Sequence, residues 1–153
     1  MNIRLIAAAL GAGIVLSGIA VAAEPQQTGT LRVEVDGLSS SQPVHIGLWS
    51  SESEFLGANA LKGAEISVDN GTAVWVIKNL PYGSYAVGAW QDLNGNGKLD
   101  DNSFHAPVEP VGVSNNAQGH YGPPAYKDAK FNLDKSRMQV TFKLSCPMGC
   151  ADK

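Results

Sequence analysis

The chain has little charge, little cysteine and no long apolar run beyond its first residues. Charged residues make up 16% of its 153 positions, and the 14 acidic side chains outnumber the 11 basic ones. Nucleic-acid binding requires a basic face, so this balance argues against that class of partner. No apolar run after residue 23 reaches the roughly 20 residues that span a membrane. No glycine-rich phosphate loop and no G-x-S-x-G elbow is present.

The first 23 residues have the pattern of a secretory leader. A short basic start with Arg4 precedes an apolar run at 5–21, and the small residues at 20–23 (AVAA) resemble a cleavage site. We expect a signal peptide at 1–23, cut after Ala22 or Ala23; an uncleaved anchor is the alternative. Removing it leaves 10 basic (11 minus Arg4) against 14 acidic residues. The interpretation places the protein in the periplasm or outside the cell, with no membrane span in the mature chain.

The rest of the chain reads as one β domain. Apolar and polar residues alternate with the period of half-buried strands, and turn residues recur between them. Asn70-Gly71 predicts a hairpin because both residues accept positive φ. Residues 50–63 are expected to form a short helix or an ordered loop, and residues 101–127 one long loop. The predicted strands are 29–37, 44–49, 65–68, 72–77, 84–90, 129–133 and 138–144.

This pattern predicts an all-β fold. We expect a single Ig-like or prealbumin-like β-sandwich of about seven antiparallel strands with one long ordered loop; a small closed barrel is the alternative. The expected boundaries are a linker at 24–28, the sandwich domain at 29–145 and a cysteine-containing tail at 146–153.

The strongest motif directly follows the strand predicted at 84–90. Side-chain oxygens stand at alternate positions and a glycine, Gly97, follows the third of them, which is the spacing of a calcium loop. Calcium takes about six to eight oxygen ligands. The predicted ligands are the side chains of Asp92, Asn94 and Asn96, the backbone carbonyl of Lys98, and the side chains of Asp100 and Glu109.

Glu109 belongs to this set because the motif is incomplete. Ser103 stands where a helix-flanked loop has its bidentate glutamate, so the last carboxylate must come from Asp101 or Glu109 if the chain folds back. With few acids, the site is expected to bind Ca²⁺ weakly, with a dissociation constant on the order of 10⁻⁴ to 10⁻³ M. The alternative is a plain Asx-type turn, since Asn and Gly are also common turn residues.

The two cysteines, Cys146 and Cys150, lie near the end of the chain. In an oxidising compartment the expected outcome is a disulfide that closes a small ring. The alternative is a soft-metal site for Cu(I) formed by the two thiolates and the Met148 thioether.

A second alternative function uses the long loop. His105, Glu109 and His120 could form an acid–base or metal cluster of a hydrolase if the fold brought them together. Two aromatic residues of the same segment, Tyr121 and Tyr126, could instead form a binding surface.

Five segments in order resemble the DUF2141 family of secreted bacterial proteins: 80–87 (LPYGSYAV), 92–100 (DLNGNGKLD), 107–109 (PVE), 112–116 (GVSNN) and 122–131 (GPPAYKDAKF). The resemblance extends from about residue 29 to 144 and implies a domain and a compartment without an activity. The turn at 81–85 is similar to one in transthyretin-like and Cna-B-like sandwiches, which supports the fold by analogy.

The sequence therefore predicts a secreted, non-enzymatic module. A calcium ion would order the long loop against one end of the sandwich, and the loop would present a surface to a glycan, another envelope component or a protein.

Overall fold

A computed structural model describes residues 26–38, 40–147 and 149–150. The predicted signal peptide at 1–23 and the Met148 thioether lie outside these residues. Within the described ranges, no helix is both long and apolar enough to cross a membrane.

Eight strands and two very short helices make up the described chain. The helical elements are a 3₁₀ turn at Ser114–Asn116 and helix α1 at Tyr126–Ala129. The strands are β1 (Thr28–Asp36), β2 (Val44–Trp49), β3 (Lys62–Ile66), β4 (Ala73–Pro81), β5 (Gly83–Gln91), β6 (Val111–Val113), β7 (Phe131–Leu133) and β8 (Arg137–Lys143).

The strands form two sheets packed as a sandwich, which confirms the predicted fold class. One sheet has the order β4-β1-β8, and the other has the order β3-β2-β5-β6 with β7 also paired to β5. Alternation places Leu31, Val33 and Val35 of β1 in the core with no exposed surface. Leu48 of β2 and Val87 of β5 belong to the same apolar cluster.

The expectation of antiparallel strands throughout is wrong at one pair. β8 runs parallel to β1, with Val35 opposite Phe142. An alternating pattern specifies which residues face the core and leaves the direction of the strand open, so pairing direction was not readable from it.

The hairpin expected at Asn70-Gly71 is also only partly correct. Both residues have positive φ, 49° and 77°, and Asp69 bridges Thr72 across a tight turn. However, the flanking strands β3 and β4 belong to different sheets. The turn therefore connects the two layers of the sandwich.

The two segments expected to be irregular differ in how much regular structure they contain. Residues 50–61 form turns without a helix, and Leu56 in their middle has φ 60°, which interrupts helical geometry. The expected long loop at 101–127 contains β6, which was not predicted, and the start of α1. These elements divide it into loops at 101–110 and 117–125, one before β6 and one after the 3₁₀ turn.

Candidate functional site

The 92–100 loop begins where β5 ends and is organised around Asp92. This carboxylate is 2% exposed and accepts backbone N–H groups of Gly95 (2.6 Å), Gly97 (2.7 Å) and Asn96 (3.2 Å). Both glycines have φ 75°, and a Cβ at either would meet nothing within 4 Å. The glycines are therefore required for backbone conformation, not for close packing.

Three of the other predicted ligands converge on one point of the loop. The Asn94 amide donates to the Asp100 carboxylate at 2.5 Å, and the Asn96 amide donates to both Asp100 oxygens at 3.0 and 3.1 Å. The amide oxygens of Asn94 and Asn96 accept the backbone N–H groups of Asn96 and Lys98. The oxygen of each amide thus accepts a hydrogen bond from the backbone of the turn, and its nitrogen donates one to the Asp100 carboxylate.

Glu109 folds back onto the loop. It is 3% exposed, and its two oxygens accept the backbone N–H groups of Leu93 (2.8 Å) and Asp100 (3.1 Å). One carboxylate therefore clamps the two ends of the loop, 16 and 9 residues away along the chain. Asp101, the other acid considered for this role, instead contacts His105 at 3.2 Å and bridges Pro107.

The electrostatics of the loop favour a charged Asp92. Burial of the carboxylate raises its pKa, but the N–H donors of Gly97, Gly95 and Asn96 and the nearby His45 lower it more, so the net pKa lies below the ordinary value. Hydrogen bonds from three amides account for most of the lowering. The loop thus stabilises an anion that water reaches poorly.

The donor set consists of hard oxygens, which is the chemistry that calcium uses. Among the residues that the structure describes, no three His, Cys, Asp or Glu side chains lie close enough to hold a metal together. A cation in this loop would therefore depend on Asn and backbone oxygens as well as on Asp92 and Asp100. The amides of Asn94 and Asn96 would have to turn their oxygens inward, away from their present orientation toward Asp100.

The cluster considered for a hydrolase is not assembled. His105 and His120 line a groove on the outer face of the five-stranded sheet, whereas Glu109 is buried against the 92–100 loop. The His105 side chain is 91% exposed and contacts Asp101.

Cys146 and Cys150 form a disulfide, as the sequence predicted. In this state the two thiolates of the alternative soft-metal site are not available as ligands.

A groove of about 1180 Å³ lies on the outer face of the five-stranded sheet. Its floor includes His45 and Trp90, whose rings stack with centroids 4.2 Å apart. Phe104 and Tyr121, from the loops before β6 and after the 3₁₀ turn, also line it, and both side chains are strongly exposed. One wall is the segment that continues from the 92–100 loop, and Leu99 also contributes to it.

Sequence reasoning identified only one side of this groove. Tyr121 was predicted to form a binding surface, and it does line the groove, but Tyr126 is half-buried and packs edge-on against Phe55 with centroids 5.5 Å apart. The contributions of His45 and Trp90 were missed because both stand on regular strands, where the default interpretation is packing. The signal that could have found them is their polar-face position in register with each other across β2 and β5.

One protein-family model matches residues 33–141, and its description is "Uncharacterized protein conserved in bacteria (DUF2141)". No curated protein and no solved structure matches the chain.

Proposed function

We propose that this chain, which belongs to the DUF2141 family, is a secreted, non-enzymatic β-sandwich module. In this proposal the groove binds a glycan of the bacterial envelope, and a weakly bound Ca²⁺ in the 92–100 loop fixes one wall of the groove. The observation that carries the proposal is the convergence of Asn94, Asn96 and Asp100 beside the buried Asp92 carboxylate, directly before that wall.

The proposed Ca²⁺ site is supported by the negative charge of the 92–100 loop and by the spacing of its side-chain oxygens. Asp92 and Asp100 lie on one short loop that also supplies two side-chain amide oxygens, and Asp92 has lone pairs beyond those used by its three N–H donors. Glu109 holds the two ends of the loop together. A bound ion that fixes the loop would therefore also restrict the motion of the groove wall at 99–107.

The proposed glycan binding is supported by the aromatic side chains that line the groove. Trp90, Phe104 and Tyr121 offer large apolar faces with few rotatable bonds, and Asn116 and Gln118 add amide groups to the lining. Sugars present apolar C–H faces together with hydroxyl groups, which matches rings interspersed with amides. Exposed aromatic side chains around one groove are typical of an interaction site.

Thermal melting tests the calcium part. With a dissociation constant on the order of 10⁻³ M, calcium at about 10 mM should stabilise the mature chain by about 1.4 kcal/mol relative to EDTA. That corresponds to a rise of roughly 3–6 °C in Tm. Asp100→Asn should remove most of the rise, whereas Asp134→Asn, at an exposed turn, should keep it. An unchanged Tm at about 10 mM calcium would sink the proposed ion site.

Tryptophan fluorescence tests the glycan part. Titration with a panel of soluble envelope oligosaccharides should change the emission of wild-type protein, and Phe104→Ala or Tyr121→Ala should weaken the response. Val76→Ala, on an exposed position 47% accessible in the other sheet, is the matched control. If both groove variants titrate like the control, the groove is not the binding surface.

Secretion has its own test. N-terminal sequencing of the protein recovered from the periplasm should find a start at residue 23 or 24. Recovery of the uncut chain in the membrane fraction would support the anchor instead.

A further inference from the structure

The C-terminal disulfide lies against the residues that flank both buried carboxylates of the loop. Cys146 and Cys150 line a cavity of about 110 Å³ together with Gln91 and Pro110. Gln91 immediately precedes Asp92, and Pro110 immediately follows Glu109.

Backbone hydrogen bonds connect the disulfide ring at residues 146–150 to Glu109, which holds the two ends of the 92–100 loop. Ser145, next to Cys146, exchanges two backbone hydrogen bonds with Val111, each 2.9 Å long. One residue further on, the Pro110 carbonyl accepts the Gln91 N–H at 3.0 Å. A continuous path of contacts therefore runs from the disulfide ring through residues 110–111 to Glu109 and the two loop ends that it holds.

The Ser145–Val111 pair is an isolated bridge beyond the end of β8. An isolated pair of backbone hydrogen bonds outside a regular strand opens easily unless the residues beside it are restrained. The five-residue ring from Cys146 to Cys150 supplies that restraint because it removes conformational freedom from the segment that follows Ser145.

We propose that the Cys146–Cys150 disulfide is a redox-sensitive latch on the 92–100 loop. Intact, it keeps Ser145 on Val111 and so keeps Glu109 on the loop; reduced, it releases the segment and weakens cation binding. The effect of reduction on cation binding rests on the proposed function, whereas its effect on the contact between Glu109 and the loop does not.

The reaction requires a dithiol, in the form of a small molecule or a protein. Its thiolate attacks one cysteine sulfur, the Cys146–Cys150 bond breaks, and a mixed disulfide forms. The second thiol of the reductant then displaces the protein cysteine. Two electrons pass to the protein, both cysteines take up protons, and the reductant leaves with a disulfide of its own.

Amide hydrogen exchange on the mature protein, followed by NMR with and without dithiothreitol, tests the latch. Reduction should accelerate exchange at Val111, Ser145, Leu93 and Asp100 by at least about tenfold, while Val33 in the central strand β1 changes by less than about twofold. The double variant Cys146→Ser/Cys150→Ser should show the reduced pattern, and dithiothreitol should not change it further.

Three results would overturn the latch: unchanged exchange at all four amides, faster exchange at Val111 and Ser145 alone, or equal acceleration at Val33, which would mean a general loss of stability. A calcium-induced rise in Tm that is smaller in the double variant supports the coupling to cation binding. If calcium stabilises neither form, the proposed ion site fails, and the exchange rates still decide whether the latch exists.

Discussion

Asp92 is buried at the start of the 92–100 loop, and hydrogen bonds from three backbone N–H groups stabilise its ionised carboxylate. Its pKa is lower in the folded chain than its ordinary value of 3.8. A depressed pKa stabilises the fold fully above the unfolded value, and that contribution is lost as the pH falls through the folded value. Without calcium, the Tm difference between wild type and Asp92→Asn should therefore be largest near about pH 7 and shrink between about pH 5 and pH 2.

Circular dichroism melts in EDTA across this pH range measure the effect. Asp134→Asn, at an exposed turn, is the control and should show a small difference at every pH. A wild-type advantage over Asp92→Asn that is the same at about pH 7 and about pH 3 would contradict the assigned charge state.

Glu109 holds both ends of the loop through two acceptor oxygens. Glu109→Gln keeps the shape but turns one acceptor into a donor, which leaves the N–H of Leu93 or Asp100 without a partner. Both donors are half-buried, so the loss of one partner should cost about 1 kcal/mol, the low end of the range for buried donors, and the free energy of unfolding in urea should fall by that amount. Glu54→Gln, on an exposed side chain, should change it by less than about 0.5 kcal/mol. Equal effects of the two substitutions would show that Glu109 does not clamp the loop.

At the scale of elements, glycines decide how the outer face of the larger sheet is covered. The Trp49 ring lies over Gly47, so a Cβ there would collide with it, whereas Gly63, the partner of Gly47 on β3, would meet only the Ile46 carbonyl at 3.6 Å. Gly47→Ala should destabilise the protein by about 1–3 kcal/mol and expose Trp49. Gly63→Ala, with the same change in the neighbouring strand, should stay within about 0.5 kcal/mol.

Chemical unfolding together with the tryptophan emission maximum measures both glycine variants. The prediction fails if Gly47→Ala matches Gly63→Ala in stability and in emission. The approximate location of most predicted strands was readable from the sequence because alternation is a local property. Two predictions were less accurate: β3 lies at Lys62–Ile66 instead of 65–68, and residue 129 belongs to α1 instead of a strand. The three-residue β6 and the crossing of β3 and β4 into different sheets were not, because they depend on partners distant along the chain.

At the scale of the whole molecule, residues of β8 and β1 pack in the same hydrophobic core although they are far apart in the sequence. Phe142 is 1% exposed and lies opposite Val35 across the parallel pair of β8 and β1. Phe142→Ala should therefore lower the free energy of unfolding by about 3–5 kcal/mol. Phe104→Ala, on a side chain 85% exposed in the groove wall, should change it by less than about 0.5 kcal/mol. Similar losses for the two variants would contradict the assigned core.

Local sequence patterns were enough to predict the β class, the approximate position of most strands, the tight turn at Asn70-Gly71 and the spacing of the 92–100 loop, and they favoured a disulfide over a soft-metal site at the two cysteines. These features follow from local rules: side-chain alternation, backbone preference, and the number of residues between oxygen donors.

Other features became visible in the fold alone: which sheet each strand joins, the parallel pairing of β8 with β1, and the reach of Glu109 to the loop, where its two oxygens accept backbone N–H groups. The groove was likewise undetermined, because residues from strands and loops far apart in the chain form it together. Such features depend on how distant segments pack, and a pattern along one segment does not contain the direction or the distance of its partners.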